Sequence, residues 1–251
     1  MKNNIDYADF YERVGQTNGW NFSSMNVVSE NIGWNFYEEV ARRTRSSDLL
    51  LDIGTGGGEA VLSIAGKALL LVGIDLAQGM IETAQQNLRT AGTHSNVRFL
   101  QMDAEKLAFP DSFFNVVSSR HSRFSASEVF RVLDTGGIFL TQQVSEHDKS
   151  NISAVFGRGQ SLGIQPGTLM ERYKHELHEA GFHDIQAREY DAIEYYATPD
   201  DLLFLLTHAP IIPGFGETAS DPERFQQFVE TYRCDQGIRT NSARFMLTAR
   251  K

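Results

Sequence analysis

The chain passes from an apolar run, Leu49-Leu50-Leu51, through Asp52-Ile53 into a turn holding four glycines in five positions, Gly54-Thr55-Gly56-Gly57-Gly58. A short apolar run that ends in turn residues reads as a buried strand, and glycines in such a turn let the backbone come close to a ligand. The next residues, Glu59-Ala60-Val61-Leu62-Ser63-Ile64-Ala65, have the composition of a helix packed on a sheet. The turn is therefore expected at a helix N-terminus on the carboxyl edge of a strand, where open α/β sheets bind their ligands.

From Leu49 the pattern alternates strand and helix for about a hundred residues, which predicts right-handed parallel crossovers and a doubly wound sheet. Strands are expected at Leu49–Ile53, Leu69–Ile74, Val97–Gln101, Phe113–Ser119 and Ile138–Val144, with helices after Asp75 and over Ser127–Leu133. The rhythm then loosens. Thr168–Ala180 is amphipathic and stops at Gly181, as helices ending in a glycine cap do, and Ile185–Tyr195 reads as a sixth strand. Thr198-Pro199-Asp200-Asp201 and Asp221-Pro222-Glu223 each start a helix with a cap residue, a proline and an acid. Ser242–Ala249 alternates Ala243, Phe245 and Leu247 with polar residues and suits an antiparallel edge strand. Residues 1–46 show no strand pattern but hold Tyr7, Phe10, Tyr11, Trp20, Phe22, Trp34, Phe36 and Tyr37, and a helix is expected from about Val27 to Arg43.

Glu59 stands where a dinucleotide fingerprint needs its third glycine, and it would set a negative charge beside a pyrophosphate at the helix N-terminus. No Lys-Ser or Lys-Thr pair closes the turn as a P-loop requires. The residues instead fit D-x-G-x-G-x-G, with Asp75 ending the second strand and Asp103-Ala104 after the third. In this order, and followed by Arg131-Val132-Leu133-Asp134-Thr135-Gly136-Gly137, they resemble the class I S-adenosylmethionine-dependent methyltransferases, in particular the small-molecule ubiquinone and menaquinone methyltransferase group.

That resemblance implies an α/β, Rossmann-like, doubly wound seven-stranded sheet of order 3-2-1-4-5-7-6, strand seven antiparallel, with helical lid additions. It divides the chain into an N-terminal helical cap (1–46), a core (47–196 and 238–251) and an insertion (197–237). It also implies S-adenosyl-L-methionine as cofactor and a cofactor site of Asp52, Gly54, Thr55, Gly56, Gly58, Asp75, Leu76, Met80, Met102, Asp103, Ala104 and Ser119. Asp75 would accept from both ribose hydroxyls and Asp103 from the adenine amino group, with Leu76 and Met102 on either side of the ring. His121, in the loop after strand four, is the candidate base because an unperturbed imidazole is mostly neutral at pH 7. Pocket lining or a loop bracket are its other roles. Tyr11, Trp20, Arg120, Arg123 and Gln143 are the candidate acceptor-binding residues.

Acidic residues outnumber Lys plus Arg by 32 to 23 with no basic block, which argues against a nucleic-acid partner. No apolar run approaches the ~20 residues of a membrane span. The single cysteine, Cys234, permits no internal disulfide or multi-cysteine metal site, and the N-terminal residues lack signal-peptide character. The expectation is a small-molecule acceptor, no metal, no membrane insertion and a cytoplasmic setting. The apolar residues of the insertion, Leu202–Leu206, Ile211, Ile212 and Phe215, are expected either to line an acceptor pocket under a lid or to form a packing module or homodimer contact. An RNA or protein methyltransferase and a non-catalytic cofactor-binding protein are the alternative readings.

Overall fold

A computed structural model of the chain describes residues 25–92 and 94–251. The described chain opens with β1 (Val27–Glu30) and α1 (Phe36–Arg43), then alternates through β2 (Leu49–Ile53), α2 (Glu59–Leu62), β3 (Leu70–Asp75), α3 (Gln78–Ala91) and β4 (Val97–Gln101). It continues with β5 (Phe114–Arg120), α4 (Ala126–Val132), β6 (Leu133–Val144), α5 (Ser150–Phe156), α6 (Thr168–Glu179) and β7 (His183–Tyr196). Helices α7 (Pro199–His208) and α8 (Asp221–Tyr232) precede β8 (Arg233–Cys234) and β9 (Gly237–Arg250).

All the strands join one sheet of order β1-β7-β9-β6-β5-β2-β3-β4, with β8 pairing β9. The seven expected strands keep the order 3-2-1-4-5-7-6, and β9 runs antiparallel to both β6 and β7. The sheet nevertheless has nine strands rather than seven. Strand β8 is a two-residue hairpin partner, and β1 pairs antiparallel with β7, Val27 opposite Tyr196. The helix expected from Val27 is thus a strand at its start, because a β-branched Val27-Val28 pair meets the open edge of β7. Helix α1 starts only after Asn35, whose side chain accepts from the backbone N–H of Tyr37 at 3.1 Å. The expected cap over residues 1–24 lies outside the described residues.

Strand alternation divides the core. Leu50, Leu71, Val116, Ile138 and Leu140 face α1, α2 and α3, while Leu51, Val72, Ile74, Val117 and Phe139 face α4 and α6. Arg131 in α4 binds Glu128, Asp111 and the carbonyls of Leu107 and Phe109, so this part of the recognised motif fastens the loop before β5.

Beyond Val144, the last residue of β6, β7 and β9 continue to pair for six more positions, from Asp191–Ala243 to Tyr196–Ile238. At about 3.4 Å per residue this ribbon rises roughly 20 Å above the carboxyl edge. Helices α5, α7 and α8 pack on it and make a core of their own, in which Leu202, Leu206 and Ile212 join Ile152, Phe156 and Phe228. Helix α7 starts at the expected cap residue and proline, and its Thr198 and Asp201 form a reciprocal capping box.

Lys149 precedes α5 at φ +53° and is 2% exposed, with Nζ 2.7 Å from Glu194 Oε2 and 2.8 Å from the Asn241 carbonyl. Removing one partner of a buried pair strands the other charge. Lys149→Met is expected to cost about 3 kcal/mol in denaturant unfolding, and adding Glu194→Leu to recover much of it. An unchanged unfolding midpoint in the single variant would show that the pair contributes nothing net.

Candidate functional site

The glycine turn is held to the end of the neighbouring strand. Gly54 and Thr55 N–H both donate to the Ile74 carbonyl at 2.9 Å, and Gly56 N–H donates to Asp75 Oδ2 at 3.0 Å. Asp75 Oδ1 accepts from Ala77 N–H at 3.0 Å. Gly54 lies at φ +71° and Gly58 at φ +76°, and a Cβ would stand 2.2 Å from Ser122 at the first and 2.6 Å from Phe99 at the second. Only glycine satisfies both the torsion and the close approach. The loops after β3 and β4 are tied by Met102 N–H to the Asp75 carbonyl at 2.9 Å and by Gln101 Nε2 to the Leu76 carbonyl at 3.0 Å. One edge therefore carries the glycine backbone, Asp75 and exposed Asp103. Leu76 beside them is 57% exposed, which a core residue would not be. Met102 and Ala104 are half-buried against the core. Met80 is 1% exposed and belongs to the core, a correction to its expected place against the cofactor, since it faces inward from the first turn of α3.

Asp52 is fully enclosed. Its Oδ1 accepts from Ser118 Oγ at 2.6 Å and its Oδ2 from Tyr37 Oη at 3.2 Å. Burial raises its pKa to about 6, against the opposing pull of Ser118, Thr55, Tyr37 and Arg120. Burial, then the Asp52 charge, pushes the Tyr37 phenol well above its ordinary value. The Thr55 hydroxyl is buried close enough to Asp52 to favour its charged form, but meets no partner at full hydrogen-bond geometry among the described residues. Asp52 therefore stands behind the turn, with no exposed surface of its own. Ser119, also buried, donates from Oγ to the Ser122 carbonyl at 3.4 Å and belongs to the same supporting layer.

Next to this edge a cleft of about 670 Å³ opens between α1, α2, the ends of β5 and β6, and the β7–β9 ribbon. Arg120 and His121 line it, as expected. Gln142 lines it in place of Gln143, a correction that follows from strand alternation: position 142 shares the face of Ile138 and Leu140. Gln143 points to the other face, where Nε2 donates to Thr141 Oγ1 at 2.9 Å and to the Ser122 carbonyl at 3.0 Å. Arg123 is exposed and does not line the cleft, and Tyr11 and Trp20 lie outside the described residues. Nor does any residue of 197–237 line it, because the insertion's apolar side chains are spent on their own core.

Sequence reasoning missed Tyr190, Glu194, Ser242 and Arg244, which line the cleft from even-numbered positions of β7 and β9. The polar alternation noted in strand seven was the one available signal. Trp34 and Tyr37, noted only as aromatics, complete the wall. The guanidinium of Arg120 lies 5.9 Å above the Tyr37 ring, and Trp34 packs edge-on to Tyr190 at 4.6 Å. Burial opposes ionisation of Glu194, yet Lys149 and the Tyr196 hydroxyl hold its carboxyl below the ordinary range. His121 sits at φ +55°, a torsion rare for a residue with a side chain. Its ring reaches the open cleft but is crowded by protein, and this loss of solvent, with the charges of Arg244 and Arg120, holds its pKa well below the usual histidine value.

The raised Asp52 pKa has a consequence for stability. The unfolded carboxyl ionises near about pH 4 and the folded one near about 6, so folding takes up a proton between them and stability falls as pH rises through that window. Asp52→Asn is expected to remove this slope, gaining up to about 3 kcal/mol over the parent above pH 6. Thermal unfolding of both proteins across the window checks this, and parallel curves would contradict it.

Residues 50–137 match the model of a methyltransferase domain family. An uncharacterised methyltransferase of Bacillus subtilis, YcgJ, is 35% identical over 103 residues, covering 38% of this chain and 40% of that protein. A ubiquinone/menaquinone biosynthesis C-methyltransferase of Stutzerimonas stutzeri is 31% identical over 123 residues, covering 45% and 48%. The similarity to these two thus spans less than half of their lengths. A malonyl-[acyl-carrier protein] O-methyltransferase of Paenibacillus is 26% identical over 237 residues, 84% of this chain and 86% of that one. The crystal structure of YcgJ superposes with a TM-score of 0.58 at 20% identity, over 85% of this chain and 97% of that one, which shows a shared fold. Residues 50–137 are thus a methyltransferase domain, similar in sequence to class I S-adenosylmethionine-dependent methyltransferases of the ubiquinone-methyltransferase-like group.

Proposed function

We propose that this chain transfers a methyl group from S-adenosylmethionine to a small organic, partly hydrophobic acceptor bound in the cleft beside Trp34, Tyr37 and His121. The observation that carries the cofactor half is the single edge on which the glycine backbone, Asp75 and exposed Leu76 and Asp103 stand together. Asp75, which holds the Gly56 and Ala77 N–H groups, would accept from the ribose hydroxyls. Asp103 would accept from the adenine amino group, with Leu76 and Met102 against the ring. The backbone of Gly54, Gly56 and Gly58 would lie against the cationic methionine half, with the Asp52 charge behind it and the Thr55 hydroxyl still to be partnered. An enclosed acid and an unsatisfied hydroxyl suit a cation better than a phosphate.

When bound, S-adenosylmethionine supplies a sulfonium-activated methyl. The protein's task is then to bind and orient the acceptor, and holding the reacting atoms about 3 Å apart in line supplies a large part of the rate. The cleft suits this with an aromatic wall of Trp34, Tyr37 and Tyr190 and donors from Arg120, Ser242 and Arg244. Two of the relatives named above are, by their names, a C-methyltransferase of ubiquinone/menaquinone biosynthesis and a malonyl-[acyl-carrier protein] O-methyltransferase. The acceptor of this chain is accordingly read from its own cleft, whose walls come largely from segments outside residues 50–137, with Ala60, Ser63, Arg120 and His121 from within it.

Calorimetry with S-adenosylmethionine, followed by turnover on a panel of small acceptors, tests the proposal. Absence of cofactor binding overturns it, and binding without turnover on any acceptor favours a non-catalytic binding protein. Asp75→Ala is expected to weaken cofactor binding by about 1.5 to 3 kcal/mol, the range for hydrogen bonds to a charged group. Unchanged affinity in the same calorimetric titration removes Asp75 from the site.

A further inference from the structure

Three groups meet in a chain of hydrogen bonds across the floor of the cleft. Trp34 Nε1 donates to Gln142 Oε1 at 2.8 Å, and Gln142 Nε2 lies 2.8 Å from His121 Nε2. Gln142 is 3% exposed and Trp34 8% exposed. The Trp34 ring is itself held by the edge of Tyr190 at 4.6 Å and by the Arg188 guanidinium 5.0 Å from its centroid. The His121 backbone N–H donates to the Gln142 carbonyl at 2.8 Å, so the same residue grips both ends of the histidine.

The donor inventory settles the direction of each bond. An indole N–H only donates, so the amide oxygen of Gln142 must face Trp34 and the amide nitrogen must face His121. An amide nitrogen only donates as well, so His121 Nε2 must present its lone pair and the ring proton must lie on Nδ1. No described residue hydrogen-bonds Nδ1, and the ring lines the cleft. We propose that Trp34 and Gln142 are positioning residues that hold His121 neutral with its proton on Nδ1, so that it meets the acceptor as a hydrogen-bond donor and not as a base.

This rests on the methyltransferase reading only for what occupies the cleft, because the proton's position follows from the protein alone. A second ring proton would set N–H against N–H at Nε2, and the other groups facing the ring offer it no free anion. Arg120 at the end of β5 and Arg244 on β9 are cationic, Tyr37 on α1 and Tyr190 on β7 are phenols with raised pKa values, and Glu194 is engaged by Lys149 and Tyr196. The acceptor atom placed at His121 therefore carries a lone pair and needs no proton removed there. A carbonyl, an ionised enol or phenol, or a carboxylate oxygen meets that requirement, and a neutral hydroxyl that must be deprotonated does not.

Nitrogen-15 spectra of the histidine rings in the full chain, without cofactor or acceptor, test the positioning. The parent is expected to show the Nδ1–H pattern for His121 and to keep it as pH falls through the ordinary histidine range near about 6.5. Gln142→Glu replaces the donor at Nε2 with an acceptor and is expected to convert His121 to the Nε2–H form, with protonation shifted to higher pH. Trp34→Phe frees the amide to turn and is expected to give a mixture of tautomers while leaving the fold intact. An Nε2–H pattern in the parent, ordinary titration of its ring, or an unchanged pattern in both variants overturns the proposal. Loss of cofactor binding or turnover in the parent bears on the methyltransferase reading alone, since the spectra need neither.

Discussion

The carboxylate of Asp52 is the point at which the two halves of the site are fastened. It leaves β2 one residue before the turn begins, on the face that packs against α1, and takes its hydrogen bonds from Ser118 on the adjacent β5 and from Tyr37 on α1. The glycine turn stands in front of it and the cleft beside Tyr37 stands to its side. An ionised acid without solvent is costly, and its pKa near 6 measures that cost. The expense is tolerable because the same carboxyl ties together the arrangement around it, accepting from both the Tyr37 hydroxyl and that of Ser118. The acid thus trades fold stability for a fixed relation between the turn that meets the cofactor edge and the helix that walls the cleft.

The cofactor edge was readable in the sequence because each of its parts is local. A glycine turn follows its own strand, Asp75 ends the next, and Asp103 follows the third, so order and spacing along the chain carry the geometry. The cleft was not readable because its residues come from distant segments that only the antiparallel ribbon brings together. Trp34 and Gln142 are 108 positions apart. Which of Gln142 and Gln143 faces the cleft turns on a single step of strand parity, which polar residue types at both positions do not reveal. Strand β1 was hidden for a different reason: a four-residue segment has too little pattern to compete with the helix that follows, and its pairing depends on the exposed edge of β7. The insertion was read correctly as helices, but the destination of its apolar side chains depends on α5, which packs against them from outside the segment.

The ribbon explains why the two ends of the site differ in kind. Parallel strands buried on both faces leave only their ends for chemistry, so the cofactor edge is made of loops and backbone. Strands β7 and β9 extend past that edge with one face unpacked by helices, and their alternate side chains become a wall: Tyr190 and Glu194 from one, Ser242 and Arg244 from the other. A wall built of alternate strand positions can change its chemistry one residue at a time without disturbing the face that packs, where Phe245 and Leu247 sit. The ribbon lies outside residues 50–137, the part of the chain that matches the methyltransferase-domain family.

Methyl transfer places an unusual demand on such a wall. The methyl is already activated by its sulfonium, so a protein base helps only when the acceptor atom still carries a proton that must leave. A histidine poised for that work would need a free lone pair and an environment that accepts its charge. His121 has neither, for its Nε2 lone pair is taken by Gln142 and two arginines stand nearby. What remains is a cleft in which Arg120, Arg244 and the His121 ring present donors, an arrangement that binds electron-rich atoms and orients them without removing protons. The left-handed backbone at His121 is consistent with this, since a residue held in an unfavourable torsion by hydrogen bonds at both ends is placed for geometry.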